Sequence, residues 1–255
     1  MVKKCDKKVA MITGAASGIG HATAKRFRDE GYIPVIIDIN LENAEKIAAE
    51  LGGMAVKTDV TKYEECVAAA EAVMAAYGRI DILVNCAGGA SGRMLNMPGC
   101  MHEVPISRLE WGIALNLMGP LYMTHAVINH MIDARFGRII YLGSAAGVVG
   151  AVGGVDYSAS KGGLESLTKS LAMEVGKYGI NVCIVSPGPI MTRPGNAAGN
   201  SFLGRPGEPE EVANVINFLC SEEASFVTGH NYIVDGGRCL GGLPWGEKNR
   251  IEKKY

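Results

Sequence analysis

Tyr157 and Lys161 stand four residues apart in a helical pattern, so their side chains share one helix face. Ser144 lies thirteen residues earlier, directly after the apolar run 139–142, where the C-terminal end of a strand is expected. A phenol with its ordinary pKa of about 10 is a poor base near neutral pH. An ammonium beside it favours the phenolate, and a serine hydroxyl can hold a substrate oxygen in line with the ring oxygen. The chemistry on offer is proton exchange with a substrate hydroxyl. Acyl transfer through Ser144 or Ser160 fits poorly, because neither serine lies in Gly-x-Ser-x-Gly and no histidine has a general-base context. A Tyr-x-x-x-Lys pair is a weak signal alone and gains weight from a second site.

That second site is Thr13-Gly14-Ala15-Ala16-Ser17-Gly18-Ile19-Gly20, which follows an apolar strand pattern and opens a helix. Its spacing is Gly-x-x-x-Gly-x-Gly rather than Gly-x-Gly-x-x-Gly. Glycines there permit a tight turn and bring backbone N–H groups at a helix N-terminus close to a pyrophosphate. Eighteen residues beyond Gly20, the second strand ends in Asp38. A carboxylate there accepts hydrogen bonds from ribose hydroxyls and repels a 2′-phosphate. No Arg or Lys occupies Ala15, Ala16, Ser17 or Ile39 to receive that phosphate, so NAD is expected over NADP. Hydride transfer to the dinucleotide, coupled to the proton taken by Tyr157, makes the expected reaction an exchange between a secondary alcohol and a ketone.

Both sites require a particular scaffold. Apolar runs at 9–13, 33–38, 54–58, 80–85, 138–143, 181–185 and 231–234 read as strands. Helical patterns at 19–29, 41–51, 63–76, 109–131, 157–175 and 209–220 alternate with them. Nearly continuous apolar strands alternating with helices predict an α/β fold, a Rossmann-type doubly wound parallel sheet of about seven strands with helices on both faces. No linker or internal repeat interrupts the rhythm, so residues 1–240 are expected to form one dinucleotide-binding and catalytic domain, with 241–255 as a tail. The stretches 88–107 and 187–206 break the pattern after strand ends, where ligand crevices form.

Composition narrows the function further. A net charge of −1 provides no basic footprint for nucleic acid. No run of 18 apolar residues predicts a membrane span, and the basic N-terminus leads into too short an apolar run for a secretory signal. Seven cysteines without Cys-x-x-Cys spacing argue against a disulfide framework or a zinc cage, so a reducing cytoplasm and no metal are expected.

In this order and spacing, the motifs resemble the short-chain dehydrogenase/reductase superfamily over nearly the whole chain, to about Cys239. They are Thr13–Gly20, Asp59-Val60, Asn85-Cys86-Ala87-Gly88, Asn116, Ser144, Tyr157-x-x-x-Lys161, Pro187-Gly188 with Thr192, and Asp235-Gly236-Gly237. Cys86 departs from the second asparagine of many relatives. The resemblance implies that Gly14, Ser17, Gly18, Ile19, Gly20 and Asp38 bind the dinucleotide. It implies contacts to adenine from Asp59 and Val60, to the adenosine ribose side from Asn85 and Gly88, and to the nicotinamide end from Pro187, Gly188, Ile190 and Thr192. Asn116 would hold a helix distortion and a proton-relaying water, and Lys161 would also bind the nicotinamide ribose. A homotetramer is implied as well.

The substrate pocket is expected between the long loops, with Arg93, Ala146, Val149 and Arg193 as candidate contacts. An arginine facing the pocket would favour an anionic substrate group. Two alternatives remain: an NADPH-dependent ketone or 3-oxoacyl reductase, and a non-enzymatic dinucleotide-binding sensor. Asp38 argues against the first and the intact catalytic positions against the second.

Overall fold

Seven short runs rich in Val, Ile, Leu, Ala and Met form strands, and all but the two at the sheet edges bury both faces, which is stable only with helices above and below. In the computed structural model, which describes residues 5–192 and 201–241, they pair in parallel as one sheet. The strands are β1 (Val9–Thr13), β2 (Ile33–Asp38), β3 (Met54–Lys57), β4 (Ile82–Asn85), β5 (Gly137–Leu142), β6 (Ile180–Pro187) and β7 (Asn231–Val234). Their order is β3-β2-β1-β4-β5-β6-β7. The chain starts at the centre, winds outward to β3 and then crosses to β4 on the other side. This reversal opens a crevice beyond the C-terminal ends of β1 and β4.

Alternation along each strand sorts the core into two layers. Met11, Leu83 and Tyr141 face α3 (Tyr63–Tyr77), α6 (Gly119–Ala134) and α8 (Val155–Val175). Ile12, Ile36, Val84 and Val185 face α1 (Gly18–Asp29), α2 (Leu41–Leu51) and α9 (Pro209–Cys220). Each fully buried Ile, Leu or Phe contributes about 2 kcal/mol through its removal from water. The stripe Ala44, Ile47, Ala48 and Leu51 buries as its spacing predicts, and Gly52 closes α2 in a left-handed conformation.

The structure corrects several boundaries. β4 begins at Ile82 rather than at residue 80, and just before it the Asp81 carboxylate accepts the Val9 N–H at 2.8 Å and both arms of Arg79. The helix expected over 109–131 starts earlier, ends later and is interrupted. It comprises α5 (Ile106–Ile113), a π turn (Ala114–Met118) and α6. Two short helices, α4 (Ser91–Met94) and α7 (Ala145–Val149), lie in stretches read as loops. They are too short to carry an apolar period. Among the described residues, no helix is long and apolar enough to cross a membrane. The tail from 242 onward lies outside the described residues.

Candidate active site

Three backbone ends converge on the crevice. After Thr13 the chain turns at Gly14, whose φ is +63° and whose absent Cβ would come 2.8 Å from the backbone of Ala87. The Thr13 hydroxyl accepts the Ala87 N–H at 3.0 Å and fixes the two loops against each other. Only glycine fits at 14, so Gly14→Val is expected to abolish dinucleotide binding and to cost about 1–3 kcal/mol in strain. Titration with NADH and a melting curve read the two effects separately.

Ser17 precedes α1 in an extended conformation, its side chain makes no capping bond, and the first turn carries no acidic residue. The amide groups of that turn are therefore left to a ligand anion. Asp38 leans across the turn. One carboxylate oxygen accepts the Ala16 N–H at 3.0 Å, and the other accepts the Asn40 N–H at 3.0 Å. Held from both sides, it presents fixed negative charge where the strand ends. Asp59 is organised by Thr61, which donates its N–H at 3.0 Å and its hydroxyl at 2.7 Å. Burial pushes the Asp59 carboxyl up, but the Thr61 bonds and the Lys62 charge outweigh it and hold the group below its usual range.

The resulting cleft has a volume of about 780 Å³. Gly14, Ser17, Gly18, Ile19, Gly20, Asp38, Asp59 and Val60 line one end. Gly88, Arg93, Ser144, Tyr157, Pro187, Gly188 and Ile190 line the rest, with Thr192 facing Gly18 where the two sets meet. A glycine turn without room for a Cβ, an uncapped helix start and an anchored carboxylate suit the pyrophosphate and ribose of a dinucleotide. The residues fit that group.

At the chemical end, Ser144 follows β5 and caps α7, its Oγ accepting the Ala146 N–H at 3.1 Å. Tyr157 sits in the first turn of α8. Burial pushes its phenol above the ordinary value, while a hydrogen bond with Ser144 and the positive charge of Arg93 pull against that rise. Lys161, one turn further, is 4% exposed. It donates to the Leu142 carbonyl at 2.7 Å and lies 5.6 Å from the Tyr157 ring centroid. Burial lowers its pKa to about 8, opposed only by nearby Cys86. Cys86 itself is pushed up to about 12 by burial, which makes it a poor nucleophile.

Other expected residues land elsewhere. Asn116 is fully buried at the centre of the π turn, away from the cleft wall. Its amide oxygen accepts the Gly89 N–H at 2.9 Å, and its nitrogen donates to the carbonyls of Gly89 and Gly112. Both side-chain N–H groups are thus taken by backbone, so this side chain staples the loop after β4 to the helix. Asn85 lies beneath the cleft, and its amide has no partner among the described residues. Ala146 and Val149 are not on the described cleft wall, and Val149 is 57% exposed. Both lie on α7, the short helix that Ser144 caps. Arg193 lies outside the described residues. Met94 lines the cleft within the stretch 89–97 expected to border the pocket, whereas sequence reading missed Trp111 and Leu115, which also line it. The i, i+4 spacing of Trp111 and Leu115 on a helix leading to Asn116 was the available signal. Among the described residues, no cluster of His, Cys, Asp and Glu is arranged to hold a metal.

Comparison with known proteins fits this geometry. The family model described as enoyl-(acyl carrier protein) reductase matches residues 14–238. The chain belongs to the short-chain dehydrogenase/reductase superfamily. It is 38% identical over 250 residues to the 3-oxoacyl-[acyl-carrier-protein] reductase of Thermotoga maritima, covering 92% of this chain and 98% of that one. It is 37% identical over 249 residues to the D-threitol dehydrogenase of Mycolicibacterium smegmatis, covering 92% and 94%. The crystal structure of 3-ketoacyl-(acyl-carrier-protein) reductase from Brucella melitensis in complex with NADH superposes with a TM-score of 0.84 at 32% identity, over 91% of this chain and 98% of that one. As a short-chain dehydrogenase/reductase the protein is an oxidoreductase of alcohols and ketones, and its cofactor is a nicotinamide dinucleotide.

Proposed function

We propose that the protein is an NAD(H)-dependent oxidoreductase that interconverts a secondary alcohol and a ketone on a small molecule, with Tyr157 as general acid and base. The observation that carries the cofactor choice is Asp38, tied to the glycine turn through Ala16. No basic side chain stands beside it on the described cleft wall, where Arg93 is the one basic lining residue and belongs to the other end. A 2′-phosphate would meet a carboxylate with no compensating cation.

The bound nicotinamide supplies the hydride acceptor or donor. Ser144 orients the substrate oxygen toward the Tyr157 phenol, which takes the proton during oxidation and returns it during reduction. Lys161 keeps positive charge behind the ring, which favours the phenolate as it forms. Asn116 sets the position of Gly88 and Gly89, and with them one wall of the site. The superposition with an NADH complex supports the same cofactor. We extend the proposal to a homotetramer, since the apolar groove between α6 and α8 that contains Leu121, Ile128, Leu167 and Leu171 offers a surface to a second copy. Sedimentation tests that assembly.

The direct test is NADH or NADPH formation by the purified protein with neutral polyols, hydroxy acids, phosphorylated or sulfonated alcohols, and hydroxysteroids. NAD-linked oxidation of one class is expected, and turnover with NADP alone would overturn the reading of Asp38. Asp38→Ala removes the repelling charge and is expected to shift the NAD-to-NADP preference by about 100-fold toward NADP. A second reading, an NADPH-dependent 3-oxoacyl reductase, draws on the Thermotoga maritima relative. Reduction of a 3-oxoacyl thioester with NADPH in place of NADH would favour it.

A further inference from the structure

The loop between β4 and α5 carries Gly89, Arg93 and Met94 of the cleft wall and meets the turn between α7 and α8, yet the hydrophobic core barely holds either segment. Met97, Met101 and Val152 are 44%, 64% and 98% exposed. Gly99 and Gly153, where the two segments meet, have no side chains to pack. One buried cation reaches both. Arg108, 2% exposed on α5, donates Nε to Ser91 Oγ at 3.0 Å, Nη1 to the Gly99 carbonyl at 3.1 Å and Nη2 to the Gly153 carbonyl at 2.6 Å. The same Nη2 lies 3.5 Å from Asp156 Oδ1, and both side chains are 1% exposed. Asp156 directly precedes Tyr157. Its carboxylate accepts no hydrogen bond among the described residues and rests against Gly112, where an added Cβ would come 1.8 Å from Oδ2.

A buried ion pair is weak evidence for stability, because desolvation offsets most of its Coulomb gain. What this pair supplies is geometry. A planar guanidinium with fixed donor directions connects α4, the tip of the long loop, the turn before α8 and the residue next to the phenol. An apolar side chain of equal size fills the same volume without fixing any of those positions.

We propose that Arg108 is a positioning residue for the reaction at Tyr157: it fixes the loop that carries Arg93 and Met94, and the turn before α8, to the first turn of α8. The inference rests on the reading of Tyr157 as acid and base. Displacing a catalytic group by about 1 Å costs about 100-fold in rate, and that is the loss expected for Arg108→Met in kcat/KM. NADH affinity stays at the wild-type value, because no residue of the glycine turn touches the clasp.

The decisive variant is the double replacement Arg108→Met with Asp156→Leu, which removes the charges together and leaves none buried alone. The probe alcohol is whichever of glycerol, D-threitol and 3-hydroxybutyrate the wild-type protein oxidises fastest, and amide exchange of residues 90–105 and 150–157 is followed in parallel. Wild-type melting and NADH affinity are expected, together with a kcat/KM that stays low and faster exchange confined to those two segments. Recovery of kcat/KM, or unchanged exchange in both segments, overturns the proposal. Should the double variant not fold, Ser91→Ala decides, since it removes a single bond of the clasp. A rise in KM of about tenfold at unchanged kcat is expected, and an unchanged KM overturns the proposal. Tyr157→Phe is assayed beside them. Turnover by that variant defeats the assignment of Tyr157, whereas a silent Tyr157→Phe beside a fully active double variant defeats the clasp alone.

Discussion

Tyr157→Phe is expected to lower turnover by about a thousandfold while leaving NADH affinity unchanged. The substitution removes one oxygen from a buried ring and keeps the ring itself. Lys161 stays 5.6 Å from the ring centroid, and the dinucleotide turn at Gly14 and the Asp38 carboxylate are built from other elements. What disappears is the atom that exchanges the proton. The pH dependence carries the sign. Burial holds the phenol above its ordinary value, so near neutrality it keeps its proton. Alcohol oxidation needs the phenolate and rises with pH, whereas ketone reduction uses the phenol and falls as pH passes the phenol's pKa. Both trends should vanish in the variant's residual activity. Turnover close to wild type would remove Tyr157 from the mechanism.

Lys161→Met is expected to lose activity and gain stability together. The activity loss is about 100-fold or more, as for deletion of a charge that stabilises a developing anion. The gain follows from burial, which carries the ammonium from an ordinary value of 10.5 down to about 8. That shift corresponds to about 3 kcal/mol that the dinucleotide-free protein loses by holding the cation. Loss of the bond to the Leu142 carbonyl returns about 1–2 kcal/mol of it. The net gain below pH 8 is about 1–2 kcal/mol, or about 4 °C in Tm. Between pH 8 and 10.5 the unfolded chain binds the proton and the folded one has released it, so wild-type stability rises with pH. The advantage of the variant therefore shrinks across that window and reverses above it. Melting curves of both proteins across that range, without dinucleotide, would refute the assignment if they stayed parallel.

Most of the scaffold was legible because a doubly buried parallel strand has few alternatives. The apolar runs from Val9, Ile33 and Asn231 match their strands to the residue. The Gly14 turn and Asp38 were legible for a related reason, since their chemistry is local to a strand end. Pairings between distant segments were not. Arg108 and Asp156 are 48 residues apart and nothing in the sequence links them, yet together they are buried. Asn116 was placed correctly at a helix distortion, but its bonds to Gly89 depend on how the loop after β4 folds back. Ala146 and Val149 follow Ser144 closely in sequence, but the five-residue helix that carries them was too short to read, and they are not on the described cleft wall.

The π turn at Ala114–Met118 acts as a gear between two halves of one rod. A wider turn takes up one extra residue, which offsets the faces on either side by about 100° of helix rotation. The upstream half puts Trp111 on the cleft wall and Arg108 into its bonds with Ser91, Gly99 and Gly153, while the downstream half sinks Met123, Val127 and Met131 into the sheet. Deleting a single residue there would force a choice between a formed core and a formed site. A substitution at Trp111, upstream of the turn, leaves both the α6 core and the Arg108 and Gly112 contacts in place. Substrate preference can therefore drift in α5 while α6 goes on specifying the fold.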